Sequence, residues 1–286
     1  MVKLNAAVLE GVAETALFTL WFRGSEASRP DAIITDPHAV RLLEDLDYPF
    51  RRKFGDPNQI YAIRALTFDG VVREFLDEHP NGTVVALAEG LQTSYWRLGS
   101  ADCRWLSVDL PEIVSIRSRL LPAEPNIVSV GASALDLGWA EHIPPDEPVL
   151  ITAEGLLYYL DEQAALGLIE DCARRFPGGR IVFDSVPPWW AGRRNKAFGV
   201  GSAVTGSSVG TEGYVFPPMP FGMTPARIRR FPRQLAGVAS TRHIRPPAGR
   251  GLQGRIIQAA YHNPALPDAL RFAVTEVRFR GRTRGD

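Results

Sequence analysis

The stretch 83–93, TVVALAEGLQT, decides the fold class of this 286-residue chain. Its first half is a short, continuous apolar run, which is typical of a strand buried on both faces of a parallel sheet. Its second half places Gly90 in a polar loop directly after that strand. Ligands of open parallel sheets bind outside the carboxyl ends of the strands, and a small residue there lets a ligand approach the main chain. Gly90 therefore fits a ligand loop, although a single glycine after a strand more often marks a plain turn.

Further strands and helices surround this stretch. Apolar runs of the same kind occupy residues 104–110, 126–130, 148–153 and 180–186, and residues 271–280 alternate as a last strand does. Helical patterns cover residues 60–79, 111–121 and 161–176. This alternation predicts an α/β fold with a doubly wound, mostly parallel sheet. The loop lacks the G-x-G-x-x-G pattern, which argues against a dinucleotide ligand.

The flanks of this core differ from it in composition. Residues 1–58 combine helical spacing with proline breakers. From residue 188 the chain is rich in Gly, Pro and Arg, and residues 199–213 fit either a loop over a site or a linker. We expect a helical cap over 1–58, an α/β core over 59–187, and a lid with the final strands of the sheet over 188–286, in one integrated domain.

Composition restricts the class of protein. Hydrophobic residues make up 45% of the chain, enough for a substantial core. Cys103 and Cys172 lack C-x-x-C spacing and are too few for a disulfide framework, which predicts a reduced, cytoplasmic protein. No segment approaches the ~18 apolar residues of a membrane span, so we expect no membrane partner. The histidines lack metal-ligand spacing, so no metal is expected.

The net charge is zero but unevenly divided. Residues up to Pro188 include 28 acidic and 16 basic side chains, whereas the remainder includes 4 and 16. A basic half could bind nucleic acid, but its arginines are scattered. Phe231 is the one aromatic residue in the tightest cluster, 227–233, which is too little for a base-stacking platform. We therefore expect a small-molecule partner and no nucleic acid. The sequence makes no prediction about the oligomeric state.

Polar residues follow three of the predicted strands. Asp109 lies 19 residues after Gly90, where an acidic residue can accept both hydroxyls of an adenosine ribose; it could also cap the helix beginning at Pro111. Glu154 follows a wholly apolar strand, and a buried carboxylate needs a partner or a function. It fits a ligand site and a cap of the following turn about equally well. A polar group within 133–136 could read an adenine edge.

Six separated motifs in this order resemble the leucine carboxyl methyltransferase family. They are RALTFD (64–69), VVALAEGLQT (84–93), VDLP (108–111), SALD (133–136), AEGLL (153–157) and FPGG (176–179). The chain is most similar to the branch of bacterial polyketide O-methyltransferases that resemble the tetracenomycin carboxyl methyltransferase. The resemblance runs from about Leu9 to the C-terminus and implies S-adenosylmethionine as cofactor, in a class I methyltransferase fold.

The resemblance also implies roles for individual residues. Arg64 would bind the methionyl carboxylate, the loop 88–90 would pass under the methionyl part, and Asp109 would bind the ribose. Glu154 would lie close to the methionine moiety, and Tyr159 would face the methyl acceptor. The expected cofactor-binding residues are Arg64, Ala88, Glu89, Gly90, Asp109, Leu110, Ser133, Ala134, Asp136 and Glu154, and the expected catalytic residues are Tyr158 and Tyr159.

The first loop departs from the family pattern Leu-Gly-Ala-Gly-Leu-Asp-Thr-Arg at four positions of eight. Ala88 adds a methyl group where the main chain and the ligand should nearly touch. Glu89 brings a carboxylate towards a ligand that has its own carboxylate, or alternatively faces the sulfonium or the α-ammonium group of that ligand. Gln92 and Ser94 replace a charge pair that could brace the loop. These departures predict cofactor binding that is weakened, re-posed or lost.

Two functions follow from these observations. The first is an S-adenosylmethionine-dependent O-methyltransferase acting on a carboxylate or acidic hydroxyl of a small secondary metabolite. An acceptor that is already ionised needs positioning and desolvation rather than a strong base, and an aromatic lid would cover it. The alternative is a protein that binds S-adenosylmethionine or S-adenosylhomocysteine but catalyses a non-methylating reaction such as cyclisation or elimination. The expected lid aromatics are Trp189, Trp190, Tyr214, Phe216 and Phe221.

Overall fold

The computed structural model describes residues 4–6, 9–99, 103–191, 214–263 and 265–282. Its N-terminal part is helical, as expected, with helices α1 (Glu14–Ala27), α2 (Pro37–Asp45) and α3 (Phe50–Phe54). One feature there was not expected: the short strands β1 (Leu4–Asn5) and β2 (Leu46–Asp47) pair in parallel. The expected loop at 199–213 lies outside the described residues.

The core follows the predicted alternation, and each predicted strand and helix is confirmed within two residues at either end. Its elements are α4 (Ile60–Glu78), β3 (Thr83–Leu87), α5 (Ser94–Leu98), β4 (Arg104–Asp109), α6 (Pro111–Leu120), β5 (Ile127–Gly131), β6 (Val149–Ala153), α7 (Glu162–Arg175) and β7 (Arg180–Ser185). Short 3₁₀ helices cover Leu137–His142 and Leu157–Tyr159.

The C-terminal part adds two strands to the same sheet. It contains α8 (Pro225–Ile228), α9 (Phe231–Gln234), β8 (Val238–Ile244), α10 (Gly251–His262), a 3₁₀ helix (Asp268–Leu270) and β9 (Ala273–Phe279). Sequence analysis predicted β9 but missed β8 and α10. In β8 only Val238 is fully buried, so the strand lacks an apolar run, and α10 contains Gly251 and Gly254, which are poor helix formers.

The sheet has the order β5-β4-β3-β6-β7-β9-β8. Strands β3 to β7 pair in parallel, and β9 runs antiparallel to both β7 and β8. Every residue of β3 and β6 is buried, which explains why both sequences are apolar except for one threonine each, Thr83 and Thr152. The direction of strand succession reverses between β3 and β6, and such a reversal opens a crevice at the carboxyl ends of the strands. The predicted fold class is confirmed.

Helices cover both faces of the sheet, and the N-terminal helices cover its carboxyl edge. Phe18, Phe22 and Phe54 form an apolar cluster with Leu91 of the first loop and Ile113 of α6. Because this cluster includes the loop itself, α1 lies directly over the crevice. Within the described ranges, no helix is both long enough and apolar enough to cross a membrane.

Candidate functional site

A cavity opens at the carboxyl ends of β3 to β6, where the strand order reverses. It is lined by eleven of the twelve residues expected from the sequence. The exception is Asp136, whose carboxylate accepts a hydrogen bond from the Gly138 backbone N–H at 3.1 Å and caps the 3₁₀ helix 137–142. Asp136 was expected to bind the cofactor; in the structure it caps a helix beside the site and does not line the cavity. Leu110, Ser133 and Ala134 border the cavity as expected.

The loop after β3 has a left-handed backbone at two positions, one of them its unusual alanine. Ala88 has φ +50° and Gly90 has φ +58°, both in the left-handed region. A Cβ at Gly90 would lie 3.2 Å from Cβ of Ala16 in α1, so glycine is needed there for space as well as conformation. Ala88 adopts the conformation despite its methyl group, and its N–H donates to the Val108 carbonyl at 2.8 Å.

Glu89 does not aim its carboxylate at the cavity centre, contrary to the expectation of a charge directed at the ligand. The carboxylate accepts hydrogen bonds from the Ser107 hydroxyl and from the Trp105 indole N–H at 3.2 Å, both on β4. It also pairs with Arg117 Nη2 of α6 at 2.8 Å. Burial raises the pKa of Glu89, while Arg117 and Ser107 oppose that shift. The side chain therefore anchors the loop to β4 and α6.

Buried arginines hold the carbonyl groups of the loop. Arg117 Nη1 donates to the carbonyl oxygens of Gly90 and Gln92, both at 2.8 Å. Arg23 Nη2, from α1, donates to the Leu91 carbonyl at 2.7 Å. Three consecutive carbonyls are thus fixed by guanidinium groups. Sequence analysis missed both arginines, because nothing in the local pattern distinguishes them from surface arginines.

A third buried arginine supplies a charge pair where the family-type pair is missing. Arg97 of α5 donates to Asp69 at 2.8 Å, to Asp36 at 2.9 Å and to the Ser94 hydroxyl at 2.8 Å. Asp36 also pairs with Arg23 at 2.8 Å. Burial by itself would raise the pKa of Asp36, but the two arginines lower it below its usual value. The pair expected to be lost at positions 92 and 94 is absent, and Arg97 with Asp36 and Asp69 supplies other ion pairs beside the loop.

Asp109 is held at the end of β4 by backbone N–H groups. Its two oxygens accept hydrogen bonds from Gly90 at 2.6 Å and Leu110 at 2.7 Å. Burial raises its pKa, and these two N–H groups act in the opposite direction. The N-cap position of α6 is Leu110, so the alternative of Asp109 as a helix cap is wrong. Each carboxylate oxygen retains a further lone pair for a ligand hydroxyl.

Glu154 and Arg64 form the centre of a buried polar cluster. Arg64 Nε donates to Glu154 Oε1 at 2.8 Å, and Nη1 donates to Asp184 at 3.3 Å and to the Tyr158 hydroxyl at 3.2 Å. Gln92 also donates to Glu154 Oε1, at 2.7 Å. Burial raises the pKa of Glu154 against the opposing effect of Arg64. Glu154 is thus not a turn cap, and Asp184 of β7 was missed by sequence analysis.

Two polar atoms of this cluster are left for a ligand. Within the described part of the chain, Arg64 Nη2 and Glu154 Oε2 have no hydrogen-bond partner, and both residues line the cavity. Gly155 lies against the cluster with φ +75°, and a Cβ there would be 3.3 Å from Arg64 Nη1. The cluster therefore presents one cationic donor and one anionic acceptor to the cavity.

The other end of the cavity is aromatic. Tyr61, Tyr159, Phe18, Phe216 and Met219 line it. Phe18 comes from α1, which sequence analysis had not assigned to the site. Of the expected lid aromatics, Phe216 lines the cavity and Tyr214 stacks on Phe18, with ring centroids 5.5 Å apart.

The remaining expected lid aromatics have other positions. Trp189 and Trp190 pack against each other, and Trp190 also packs on Phe272. Phe221 is buried in the main core. These three residues do not line the cavity, so their expected part in an acceptor-covering lid is wrong. The sequence could not distinguish them because all five aromatics lie in one weakly patterned segment.

Comparison with known proteins agrees with this geometry. The leucine carboxyl methyltransferase family profile matches residues 16–173, more than half of the chain. The tetracenomycin polyketide synthesis O-methyltransferase TcmP of Streptomyces glaucescens is 35% identical over 184 residues, which cover 63% of this chain and 68% of that protein. The S-adenosyl-L-methionine-dependent methyltransferase dpfgK of Gibberella zeae is 26% identical over 199 residues, covering 62% and 67%.

Solved structures share the fold. A crystal structure solved as a candidate methyltransferase from Thermobifida fusca aligns over 95% of both chains with a TM-score of 0.53 at 18% identity, a likeness that concerns the fold alone. The family motifs and the family profile coincide with the elements that build the cavity. The chain belongs to the leucine carboxyl methyltransferase family and is an S-adenosylmethionine-dependent methyltransferase.

Proposed function

We propose that this enzyme transfers a methyl group from S-adenosylmethionine to a carboxylate or acidic hydroxyl of a small, polyketide-like metabolite. The observation that carries the proposal is one cavity with a polar end, built on Arg64, Asp109 and Glu154, and an aromatic end. The named activity of the Streptomyces glaucescens relative, polyketide O-methylation, supports the acceptor class.

The polar end fits the amino-acid and ribose parts of the cofactor. Arg64 Nη2 can donate to the methionyl carboxylate, and Glu154 Oε2 can accept from the α-ammonium group. Asp109 can accept from ribose hydroxyls while Gly90 and Leu110 fix its orientation. Ser133 and Ala134 border the part of the cavity left for adenine. Each of these roles uses an atom that the protein leaves available.

The aromatic end fits an acceptor that arrives ionised. Among the described residues that line the cavity there is no His, Lys or Cys to serve as a base. The lining carboxylates of Glu89, Asp109 and Glu154 are each bound to arginines or N–H groups. When bound, the cofactor supplies an electrophilic methyl group on a sulfonium. The protein then needs to orient the acceptor through Tyr158 and Tyr159 and to exclude water.

The non-methylating alternative rested on the altered first loop. In the structure Ala88 takes the left-handed conformation, Glu89 is bound behind the loop, and Gln92 bonds to Glu154. The fourth departure, Ser94, accepts a hydrogen bond from Arg97 at 2.8 Å, so each of the four changed side chains or backbones has a place in the structure. The altered first loop therefore no longer favours the non-methylating alternative, and methyl transfer is the better-supported function.

A matched pair of aspartates tests the proposed cofactor site. Asp109→Asn removes a charged acceptor inside the cavity, whereas Asp136→Asn alters a similar carboxylate outside it. Calorimetry with S-adenosylmethionine should show affinity about 10- to 100-fold lower for Asp109→Asn, because a hydrogen bond to a charged group contributes about 1.5–3 kcal/mol. The Asp136 variant should bind as the wild type does. Equal affinities for both variants, or no binding to the wild type at millimolar ligand, would refute the site.

A further inference from the structure

Tyr61 is held rigidly at the aromatic end of the cavity. It lies in the first turn of α4, three residues before Arg64, whose guanidinium sits 4.9 Å from the centre of the Tyr61 ring. Phe18 and Phe22 of α1 contact the same ring edge-on, each with centroids 5.3 Å from it. Aromatic neighbours therefore fix the ring plane, and with it the position of the hydroxyl group.

Three tyrosine hydroxyls at this end make no hydrogen bond to the described part of the chain. They belong to Tyr61 and Tyr159, which line the cavity, and to Tyr214, whose hydroxyl is completely buried. By contrast, the Tyr158 hydroxyl accepts from Arg64. Buried hydroxyls normally have partners, because an unsatisfied polar group costs about 1–3 kcal/mol. The Tyr61 and Tyr159 hydroxyls, which border the aromatic end of the cavity, indicate a ligand with oxygen atoms.

These hydroxyls are hydrogen-bond donors at neutral pH. Burial raises the pKa of Tyr61 to about 12 and raises the pKa values of Tyr159 and Tyr214 above their usual range. A protonated phenol donates one hydrogen bond and stabilises a nearby anion. The three hydroxyl groups therefore stay protonated and can donate to a ligand oxygen, which excludes a role as bases.

Resting on the proposed function, we infer that Tyr61 is an acceptor-binding residue whose hydroxyl holds the non-reacting oxygen of a two-oxygen anion, while Tyr159 orients the oxygen that is methylated. Hydrogen bonds to an attacking oxygen lower its nucleophilicity, since they stabilise the charge that the reaction consumes. A carboxylate, or the enolate of a 1,3-dicarbonyl, can accept one bond on each oxygen and keep a reactive lone pair. A simple phenolate would take both bonds on its one oxygen.

The test compares two aromatic probes of similar size, 1-naphthoate and 1-naphthol, binding to protein saturated with S-adenosylhomocysteine. We expect calorimetry to show naphthoate bound about tenfold more tightly than naphthol. Tyr61→Phe keeps the ring between Phe18 and Phe22 and should weaken naphthoate binding about tenfold, with naphthol and S-adenosylhomocysteine affinities unchanged. Tyr261→Phe, at a tyrosine outside the cavity, is the matched control and should change none of the three.

Each other result has a defined meaning. Equal naphthoate affinities for Tyr61→Phe and Tyr261→Phe would overturn the inference. The inference would also fail if naphthol bound as tightly as naphthoate, or if neither probe bound to protein saturated with S-adenosylhomocysteine. Failure of S-adenosylhomocysteine itself to bind would instead overturn the proposed function, and the inference with it. A measurement that needs no variant is the ¹³C shift of the bound naphthoate carboxylate, which should differ from that of a carboxylate in an apolar solvent; an identical shift would also overturn the inference.

Discussion

Among the residues behind the cofactor loop, Arg117 is the one whose substitution should cost the most stability. Its guanidinium pairs with Glu89 at 2.8 Å and donates to the carbonyls of Gly90 and Gln92. The two charged side chains are only 5% and 3% exposed. Arg117→Met leaves the Glu89 carboxylate buried without its cation, and removing one partner of a buried pair costs about 3–5 kcal/mol. We therefore expect urea unfolding to show a loss of this size in the free energy of unfolding.

Two further variants separate the ion pair from general damage to α6. Arg119→Met changes an exposed arginine two residues along the same helix and should alter stability by less than about 0.5 kcal/mol. The double variant Arg117→Met with Glu89→Gln removes the stranded charge and should recover at least half of the loss, because replacing both partners is often close to neutral.

The same Arg117 series tests the coupling of this ion pair to the cofactor. Affinity for S-adenosylmethionine should fall in Arg117→Met, because the carbonyls of Gly90 and Gln92 are released. A loss below about 1 kcal/mol for the single variant, or a double variant no more stable than the single one, would refute the reasoning. The reasoning would also be refuted if Arg117→Met lost about 3–5 kcal/mol of stability, the expected cost of breaking a buried pair, and still bound the cofactor with wild-type affinity.

Three smaller perturbations test the loop and its supports. Ala88→Gly should stabilise the protein by up to about 1 kcal/mol in urea unfolding, because an alanine at φ +50° costs about 1–2 kcal/mol and the greater unfolded-state entropy of glycine offsets part of that gain. Gly90→Ala should lower the melting temperature, since its Cβ would lie 3.2 Å from Cβ of Ala16 at φ +58°; an unchanged value would contradict the close packing of α1 on the loop. Asp36 has a lowered pKa in the folded state, so its stabilising effect is complete above its unfolded value near about 4 and is lost as the pH falls through the lower folded pKa; Asp36→Asn should flatten this acid limb when unfolding is followed by circular dichroism.

Local sequence carried enough information for the sheet. Strands β3 and β6 are buried on both faces, so each is a largely apolar run without charged residues that can be recognised without knowing its neighbours. The same holds for Asp109 and Glu154, since a carboxylate directly after such a run must lie at the carboxyl edge of the sheet. These positions depend on the chain within a few residues, and the structure brings them together in one cavity.

The supports of the loop depended on contacts between distant parts of the chain. Arg23 reaches Leu91 across 68 residues, and Arg117 reaches Gly90 across 27. Neither arginine lies in a motif, and a buried arginine on a helix has the same local pattern as an exposed one. The direction of Glu89 likewise depends on Trp105 and Ser107 of the neighbouring strand. Sequence reasoning recognised Glu89 as unusual but could not tell which side of the loop its carboxylate would occupy.

The strain at Ala88 and the buried charges around it belong to one arrangement. A left-handed alanine persists only where surrounding contacts determine the backbone more strongly than its own preference does. Here Arg117 and Arg23 fix the carbonyls of Gly90, Leu91 and Gln92, and the Ala88 N–H is bound to β4. With its carbonyls bound outside the cavity, the loop keeps glycine-like geometry without glycine at its first position. Loss of Arg117 should therefore lower the free energy of unfolding more when residue 88 is alanine than when it is glycine. Ala88→Gly should accordingly recover part of the stability lost in Arg117→Met, beyond its own stabilising effect. Purely additive free energies would show that the strain at Ala88 and the support by Arg117 are independent.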